Sequence, residues 1–323
     1  MNPILDTDAG GSAGATSTPW RAVRVVGVGH VALDHFFEVD TLPAAATKVT
    51  ARHYRCGVGG MTANAMVAAA RLGAHAAMVA PVSEDESLPI FLAHFKREGV
   101  DAKGLKPIPG SRHSVSMILV DHRGERTIVS HRSDAGMKAG PLDLTCLDGA
   151  DVVLTDPRFT AWAQNALAHA RSRRLLSILD ADVAPQEDLE ALVGLAAWAV
   201  FSEPGLEVYQ SAASTTADRR HTLADGLAQA LSAGAQVAVV TLGDQGLMWQ
   251  RQGGTVQSMP ACQVGPVLDT TAAGDVFHGA LGVALAQGWT DEAALRWASR
   301  AAALKCAHGQ GVLGAPQLHD MFA

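Results

Sequence analysis

Two aspartates late in the chain enclose a run of small residues that could hold a phosphate group. Asp269 and Asp275 are separated by Thr-Thr-Ala-Ala-Gly, and an apolar pattern with a helical repeat begins directly afterwards. The start of a helix has amide N–H groups without intrahelical partners and the positive end of the helix dipole. Ala272, Ala273 and Gly274 have no bulky side chains, so their amides could close around an anion. Asp275 would then stand beside that anion, where a base removes the proton of an attacking hydroxyl.

A lone aspartate at a helix start is more often only favoured by the dipole, by roughly 0.3–1 kcal/mol. The whole string D-T-T-A-A-G-D, however, resembles the second signature of the ribokinase (PfkB) family of carbohydrate kinases. The resemblance implies that Asp275 is the catalytic base and that Ala272–Gly274 form an anion hole. It also implies a monovalent-cation site at Asp269 and Thr271, with K⁺ as an activator.

A second group of residues lies far upstream, in the string G-G-M-T-A-N. Gly59 and Gly60 let the backbone approach a ligand closely, and Asn64 lies near the start of a helix predicted over Ala63–Leu72. On its own, such an asparagine is ordinarily a cap or a turn residue. The string resembles the family's first signature, whose glycine amides and asparagine hold the sugar. Two signatures in the right order extend the resemblance over residues 21–323.

Four further side chains are candidates for contact with the sugar. Asp34 follows the first predicted strand, and a carboxylate there can accept hydrogen bonds from two hydroxyl groups. Asp156 and Arg158, in the string T-D-P-R, directly follow another strand, and Asp156 resembles a family acid near the sugar. Arg126, in G-E-R-T-I-V, resembles a sugar-contacting arginine of ketohexokinase-like members, and an exposed hairpin arginine is the equal alternative.

The resemblance also implies a site for ATP and Mg²⁺. The string T-L-G-D-Q-G resembles the family's nucleotide loop and supplies Thr241, Gly243, Asp244 and Gly246. The string A-A-A-L-K-C-A-H-G-Q-G resembles the helix and loop that line the adenine site of ketohexokinases, and it supplies Lys305, Cys306 and Gly309. The family's magnesium motif N-x-x-E is replaced by S-E-P-G-L-E, in which Glu203 is the acid that could act in the outer shell of Mg²⁺.

Departures from ribokinase bear on the substrate. Ala32 and Met61 stand where ribokinase has Asn and Lys, so recognition of ribose should be weaker. The strings G-E-R-T-I-V, D-P-R and S-E-P are shared with ketohexokinase-like and sulfofructose-kinase-like members, which favours ATP-dependent phosphorylation of a primary hydroxyl of a ketose or ketose derivative. Candidates for binding an anionic substituent are Arg112, His113, Arg126 and Arg158.

Several alternative functions stay open, and one class of enzyme is disfavoured. The chain could be a ribokinase, a nucleoside kinase, or a non-catalytic regulatory protein that binds sugar or nucleotide. A dinucleotide-dependent oxidoreductase is disfavoured, because the G-x-G of Gly27 and Gly29 is followed by Ala32 rather than glycine.

These residues must be positioned by strands and helices that alternate along the chain. The alternation predicts an α/β fold of the ribokinase-like class: a doubly wound, mostly parallel sheet flanked by helices, with ligands at the carboxyl ends of the strands. Segments of about 32–56 and 111–131, with a hairpin formed by Ser114–Val120 and Arg126–Ser130, predict a small β-sheet lid that excludes water from the sugar. Exposed edges of that lid predict a homodimer.

Composition limits the partners. The chain has 323 residues and a net charge of −7, without a basic block, so nucleic acid is not an expected partner. Four scattered cysteines are typical of reduced thiols in a cytoplasmic protein. No segment is apolar for long enough to predict a membrane span, and residues 1–20 are predicted to be a flexible tail without the pattern of a signal peptide.

Overall fold

The computed structural model of the chain describes residues 20–45, 47–122, 126–210 and 219–323. Its strands are β1 (Arg24–Val28), β2 (Ala32–Glu38), β3 (His53–Gly59), β4 (His75–Ser83), β5 (Asp101–Ile108), β6 (Ser114–Val120), β7 (Arg126–His131), β8 (Val152–Thr155), β9 (Leu176–Ala181), β10 (Trp198–Ser202), β11 (Val237–Thr241), β12 (Leu247–Arg251) and β13 (Gln257–Met259). Its helices are α1 (Met61–Arg71), α2 (Ser87–Glu98), α3 (Ala135–Lys138), α4 (Thr160–Arg173), α5 (Gln186–Val193), α6 (Glu203–Tyr209), α7 (Arg219–Ala233), α8 (Ala273–Ala286) and α9 (Asp291–His308).

Nine strands form one sheet in the order β13-β12-β11-β10-β9-β8-β1-β4-β5. The seven strands from β11 to β5 in that order pair in parallel, and β12 and β13 add an antiparallel edge. The central strands are short continuous apolar runs because helices cover both faces of the sheet, leaving every side chain of strands such as β8 buried. The predicted α/β class with a mostly parallel sheet is confirmed.

The remaining four strands form a separate small sheet in the order β3-β2-β6-β7. β2 pairs in parallel with β6, while β3 and β7 pair with their neighbours in antiparallel fashion. All four strands lie in or directly beside the two segments predicted to form the lid. The predicted hairpin of β6 and β7 is therefore present, although its turn, residues 123–125, lies outside the described residues.

Helices α1 and α8 carry the two signature motifs, and they pack closely against each other. A Cβ atom at Gly279 of α8 would come within 2.2 Å of the carbonyl oxygen of Ala65 in α1, so only glycine permits this approach. The neighbouring side chains of both helices are buried in the largest apolar core. This contact fixes the position of Asn64 relative to Asp275.

The ends of strand β9 and helix α5 locate Asp180 and Gly194. Strand β9 extends through Asp180 to Ala181, so Asp180 lies near its carboxyl end. Helix α5 ends at Val193, and Gly194 directly after it packs closely on the end of α7, since a Cβ atom there would come within 2.3 Å of the Ala233 carbonyl oxygen.

Aromatic side chains join the start of the described chain to α9. The indole of Trp20 packs against those of Trp289 and Trp297, with ring centroids 6.2 and 5.6 Å away, and Trp297 also packs on Phe322. Residue 20 thus belongs to the folded domain rather than to the predicted tail, whose residues 1–19 lie outside the described residues. Among the described residues, no helix combines the length and apolar character needed to cross a membrane.

Candidate active site

The two signature motifs meet through one hydrogen bond. The Nδ2 atom of Asn64, on α1, donates to Oδ2 of Asp275, on α8, over 2.7 Å. Asn64 is buried, whereas Asp275 keeps part of its surface accessible in the first turn of its helix. The predicted sugar ligand Asn64 therefore also orients the predicted base.

The electrostatic surroundings of Asp275 suit a base. Burial raises the pKa of the Asp275 carboxyl well above its usual range, and the neighbouring Asp180 and Asp182 raise it further. The Asn64 hydrogen bond and His278 act in the opposite direction. A carboxylate with a raised pKa accepts a proton from a hydroxyl more readily than an ordinary aspartate does.

Asp180 was not predicted as a site residue. It lies near the carboxyl end of β9 with only 3% of its surface exposed, and Oδ2 is 3.5 Å from Nδ1 of His278. That histidine nitrogen donates to the Gly274 carbonyl at the start of α8 over 2.7 Å. Burial and the nearby Asp182 and Asp156 raise the pKa of Asp180. The signal in the sequence was the pair of acids in D-A-D at the end of a buried strand.

The proximity of Asp180 predicts a change in pH dependence. Asp275 acts as a base only when deprotonated, so kcat should fall as the pH drops through its raised pKa. Asp180→Asn removes a neighbouring negative charge, lowers the pKa of Asp275 and should move the acid limb of the kcat profile to lower pH. The same change at the exposed Asp148 controls for net charge. An acid limb of the kcat profile that stays at the same pH, or moves to higher pH, would contradict the coupling of Asp180 to Asp275.

The residues predicted to form an anion hole lie at the start of α8, and one of their amides is already used. Helix α8 begins at Ala273, whose amide is already used, since it donates to the Thr270 carbonyl over 3.2 Å. The amides of Gly274 and Asp275 lie in the first turn, where no intrahelical acceptor exists. Gly274 is exposed and a Cβ atom there would meet open space. Ala272 adopts a left-handed conformation, with φ of 64°, that turns the chain into the helix.

Asp34 and the two glycines of the first signature form one corner of the site. Asp34 is partly buried on β2, and burial raises its pKa to about 6 although Ser116 and Arg55 oppose the rise. A Cβ atom at Gly59 would lie 1.9 Å from Oδ2 of Asp34, so this glycine leaves room for the carboxylate. Gly60 caps α1 with φ of 107°, and a side chain there would strike the His30 carbonyl.

Asp156 was predicted to contact the sugar, but its carboxylate is bonded within the protein instead. Its side chain is fully buried, and Oδ2 accepts hydrogen bonds from the His30 amide at 2.7 Å and from the Thr62 hydroxyl at 2.5 Å. Oδ1 accepts from the Arg158 amide at 2.9 Å. The carboxylate therefore fixes the turn after β1 to the start of α1, which positions Gly60.

The predicted arginines do not converge on one ligand. Arg158 donates through Nη1 to the Val183 carbonyl at 3.1 Å. Arg112 and His113 line a different cavity, in which Nδ1 of His113 lies 2.9 Å from the Asp85 carboxylate. Arg126 is the first residue of β7, and its side chain lies outside the described part of the chain.

Two other arginines line the cleft that Asp34 and Asn64 share. This cleft has a volume of about 680 Å³ and runs between the small sheet, α2 and the Ala272 turn. Arg55 reaches it from β3, with its guanidinium carbon 3.5 Å from the centroid of the Phe36 ring. Arg97 reaches it from α2 and contacts His94. Neither was predicted, because an isolated arginine in a strand or helix gives no motif.

The predicted nucleotide loop follows β11. Gly243 and Asp244 lie in a short 3₁₀ turn, and Thr241 precedes it with its hydroxyl bonded to the Phe201 carbonyl. Gly246 has φ of 89°, and a Cβ atom there would come within 2.0 Å of the Met259 carbonyl. The loop geometry thus requires glycine at that position, whether or not a nucleotide binds.

Glu203 was predicted to act in the outer shell of Mg²⁺, but its carboxylate is paired with an arginine instead. Both carboxylate oxygens accept hydrogen bonds from Arg219 at 2.6 Å, which forms a bidentate ion pair. Asp182, whose charge helps to raise the pKa of Asp275, is the better candidate acid, and it accepts a hydrogen bond from Ser202 at 2.7 Å. The described residues contain no group of three or more acidic, histidine or cysteine side chains able to hold a metal alone.

Lys305 was predicted to contribute to the nucleotide site, but its side chain lies in the core instead. It is fully buried in α9, and Nζ donates to the carbonyl of Asp269 over 2.5 Å and lies 3.3 Å from Oδ2 of the same residue. Cys306 accepts backbone hydrogen bonds from Leu268 and Asp269, so the end of α9 holds the loop that leads to α8. Gly309 follows α9 and has φ of 72°.

Asp269 and Thr271, the residues of the predicted cation site, are joined by a hydrogen bond. The carboxylate of Asp269 accepts hydrogen bonds from the Thr271 amide at 2.8 Å and the Gly311 amide at 2.7 Å. Burial alone would raise its pKa, but these hydrogen bonds and the Lys305 charge outweigh burial and lower the pKa to about 2. The carboxylate is therefore ionised at neutral pH.

Comparisons with known proteins identify the family of the chain. Residues 23–318 match the model of the pfkB family of carbohydrate kinases. A ribokinase of Bacillus subtilis is 28% identical over 287 residues, which cover 87% of this chain and 92% of that protein. A candidate ribokinase structure from Agrobacterium tumefaciens is 33% identical with a TM-score of 0.85, covering 94% of this chain and 97% of the other. Arabidopsis thaliana ribokinase complexed with ribose and ATP shares the fold, with a TM-score of 0.79 at 21% identity and coverage of 94% and 98%.

The family match spans nearly the whole described chain, including both signatures and the cleft between them. The chain therefore belongs to the pfkB family of carbohydrate kinases.

Proposed function

We propose that this kinase transfers the γ-phosphoryl group of ATP to a primary hydroxyl of a small sugar bound beside Asp34 and Asn64. The observation that carries the proposal is the hydrogen bond between Asn64 and Asp275, because it places a base with a raised pKa next to the cleft. The start of α8 lies at the same place and presents amides to the transferring phosphoryl group.

The reaction follows from these positions. Asp275 accepts the proton of the hydroxyl, the hydroxyl oxygen forms a bond to the γ-phosphorus, and the bond from that phosphorus to the β,γ-bridging oxygen breaks to release ADP. The amides of Gly274 and Asp275 stabilise the negative charge on the phosphoryl oxygens. Mg²⁺ bound to ATP would neutralise phosphate charge, and Asp182 is our candidate acid to hold it.

For the substrate we favour a ketose or ketose derivative, and ribose is the competitor. Ala32 and Met61 lack the polar groups that ribokinase presents at these positions. Arg55 and Arg97 line the cleft, and Arg97 also pairs with Glu98 over 3.1 Å. Two guanidinium groups there would suit an anionic substituent. The closer likeness to ketohexokinase-like members stays a prediction. The relatives named above are ribokinases, and this similarity argues for ribose as the substrate.

The test is an ADP-release assay with ATP, Mg²⁺ and K⁺ across ribose, fructose, tagatose, sulfofructose, ketose phosphates and nucleosides. A ketose or its anionic derivative should give the highest kcat/KM. The variants Arg55→Met and Arg97→Met should lower kcat/KM more for an anionic substrate than for a neutral one. Ribose as the preferred substrate would overturn the ketose assignment, and a nucleoside would overturn both.

We also infer a homodimer formed through the outer face of the small sheet. Tyr54, Met117 and Val129 are 57%, 37% and 56% exposed and lie on the face opposite to Asp34 and Arg55, and β3 and β7 are open edges of the sheet. Val129→Glu should convert the dimer to a monomer in sedimentation velocity, whereas Met137→Glu, at an apolar residue that is 87% exposed elsewhere, should not. A wild-type protein that sediments as a monomer at micromolar concentration would refute this inference.

A further inference from the structure

A buried positive charge belonging to the chain itself lies where the resemblance implies a monovalent cation. The ammonium group of Lys305 contacts two oxygens of Asp269, the carbonyl at 2.5 Å and the carboxylate at 3.3 Å. The lysine side chain is completely inaccessible to solvent although it is among the largest in the core. Lysine is almost never fully buried unless it is paired, so this position is built around its charge.

This charge lies at the beginning of the loop that leads from Asp269 into α8. From Asp269 the chain runs through Thr271 to the left-handed Ala272 and then into the first turn of α8. The Asp269 carboxylate holds the loop in place by accepting hydrogen bonds from the amides of Thr271 and Gly311. A cation beside the carboxylate balances its charge and holds the loop against α9. Lys305 already supplies that cation.

We propose that the Lys305 ammonium is a tethered replacement for a monovalent cation, so that the anion hole forms without K⁺. The predicted K⁺ site at Asp269 and Thr271 does not fit a free ion, because the lysine nitrogen occupies the oxygens that would bind it and like charges repel. The proposal rests on the proposed kinase function only for its activity readout.

The first test measures wild-type protein in KCl, NaCl and tetramethylammonium chloride at equal ionic strength. The midpoint of thermal unfolding should be the same in all three salts, because no ion binds preferentially to the folded state. Values of kcat/KM should agree within about twofold. A midpoint that rises specifically with K⁺, or activation by K⁺ of about tenfold or more, would overturn the proposal. If no sugar is phosphorylated, the unfolding midpoints still decide the question.

The second test removes the ammonium group. Lys305→Ala leaves Asp269 without its cation, so the unfolding midpoint should fall by on the order of 5 °C. K⁺ or methylammonium should restore part of the midpoint and of kcat/KM, whereas tetramethylammonium, which is too large for the space, should not. Lys103→Ala, at a side chain that is 91% exposed, is the matched control and should respond to no salt. A Lys305→Ala protein that equals the wild type, or whose losses are the same in every salt, would overturn the proposal.

Discussion

Asp275→Asn is expected to lower kcat by about 10²–10⁴-fold, because an amide cannot accept the proton of the attacking hydroxyl. The asparagine keeps the size of the aspartate, and its oxygen can still accept the hydrogen bond from Asn64. Nucleotide affinity should stay near that of the wild type, since the amides of the first turn are unchanged. Steady-state kinetics together with a nucleotide titration would measure both quantities.

The matched control is Asp148→Asn, which removes an exposed carboxylate elsewhere and should leave kcat unchanged. Turnover of Asp275→Asn within about tenfold of the wild type would remove Asp275 from the role of base. A loss of nucleotide affinity as large as the loss of kcat would instead indicate a damaged anion hole.

The second large effect is expected at the sugar corner. Asp34→Ala removes a carboxylate able to accept two hydroxyl hydrogen bonds, each worth roughly 1.5–3 kcal/mol, so kcat/KM for the sugar should fall about 100-fold or more. Because the pKa of Asp34 is raised to about 6, the carboxylate of the wild type becomes protonated below that pH. The KM for the sugar should therefore rise as the pH falls through 6.

Gly59→Ala offers an independent test of the same carboxylate. The added methyl group would overlap Oδ2 of Asp34 and displace it, so kcat/KM should fall in the same direction. In the double variant the alanine at 59 should add little, since its target is already absent. Gly282→Ala, in α8 and outside the cleft, is the control, because a Cβ atom there meets no atom closer than 3.6 Å. Additive losses in the double variant would show that Gly59 acts by another route.

The sequence predicted the parts of the site that lie in local motifs. Asp275 and Asn64 were identified because each lies in a short string with a helix beginning beside it. Their mutual hydrogen bond could not be predicted, since it depends on the packing of α1 against α8 at Gly279. Asp180 was missed for a similar reason: the D-A-D pair at the end of a strand belongs to no recognised motif, and the effect of Asp180 on Asp275 exists only in three dimensions.

Pairing within the protein explains why three predicted site residues do not face a ligand. Asp156, Glu203 and Lys305 were read as groups that face a ligand, but each is occupied by partners within the protein. A sequence shows that a charged residue is present but not which opposite group folding brings to it. The fold was easier to predict, because alternating strands and helices with apolar strand interiors are a local pattern repeated many times.

The tryptophan cluster described above decides what an optical measurement of this enzyme would report. Trp20, Trp289 and Trp297 pack together at the base of α9, and no tryptophan occurs among the described residues that line the sugar cleft. Intrinsic fluorescence excited at the indole band should therefore change sharply when the domain unfolds and very little when a sugar binds. Unfolding titrations can rely on this natural signal, whereas sugar affinity needs a calorimetric readout or an introduced fluorophore.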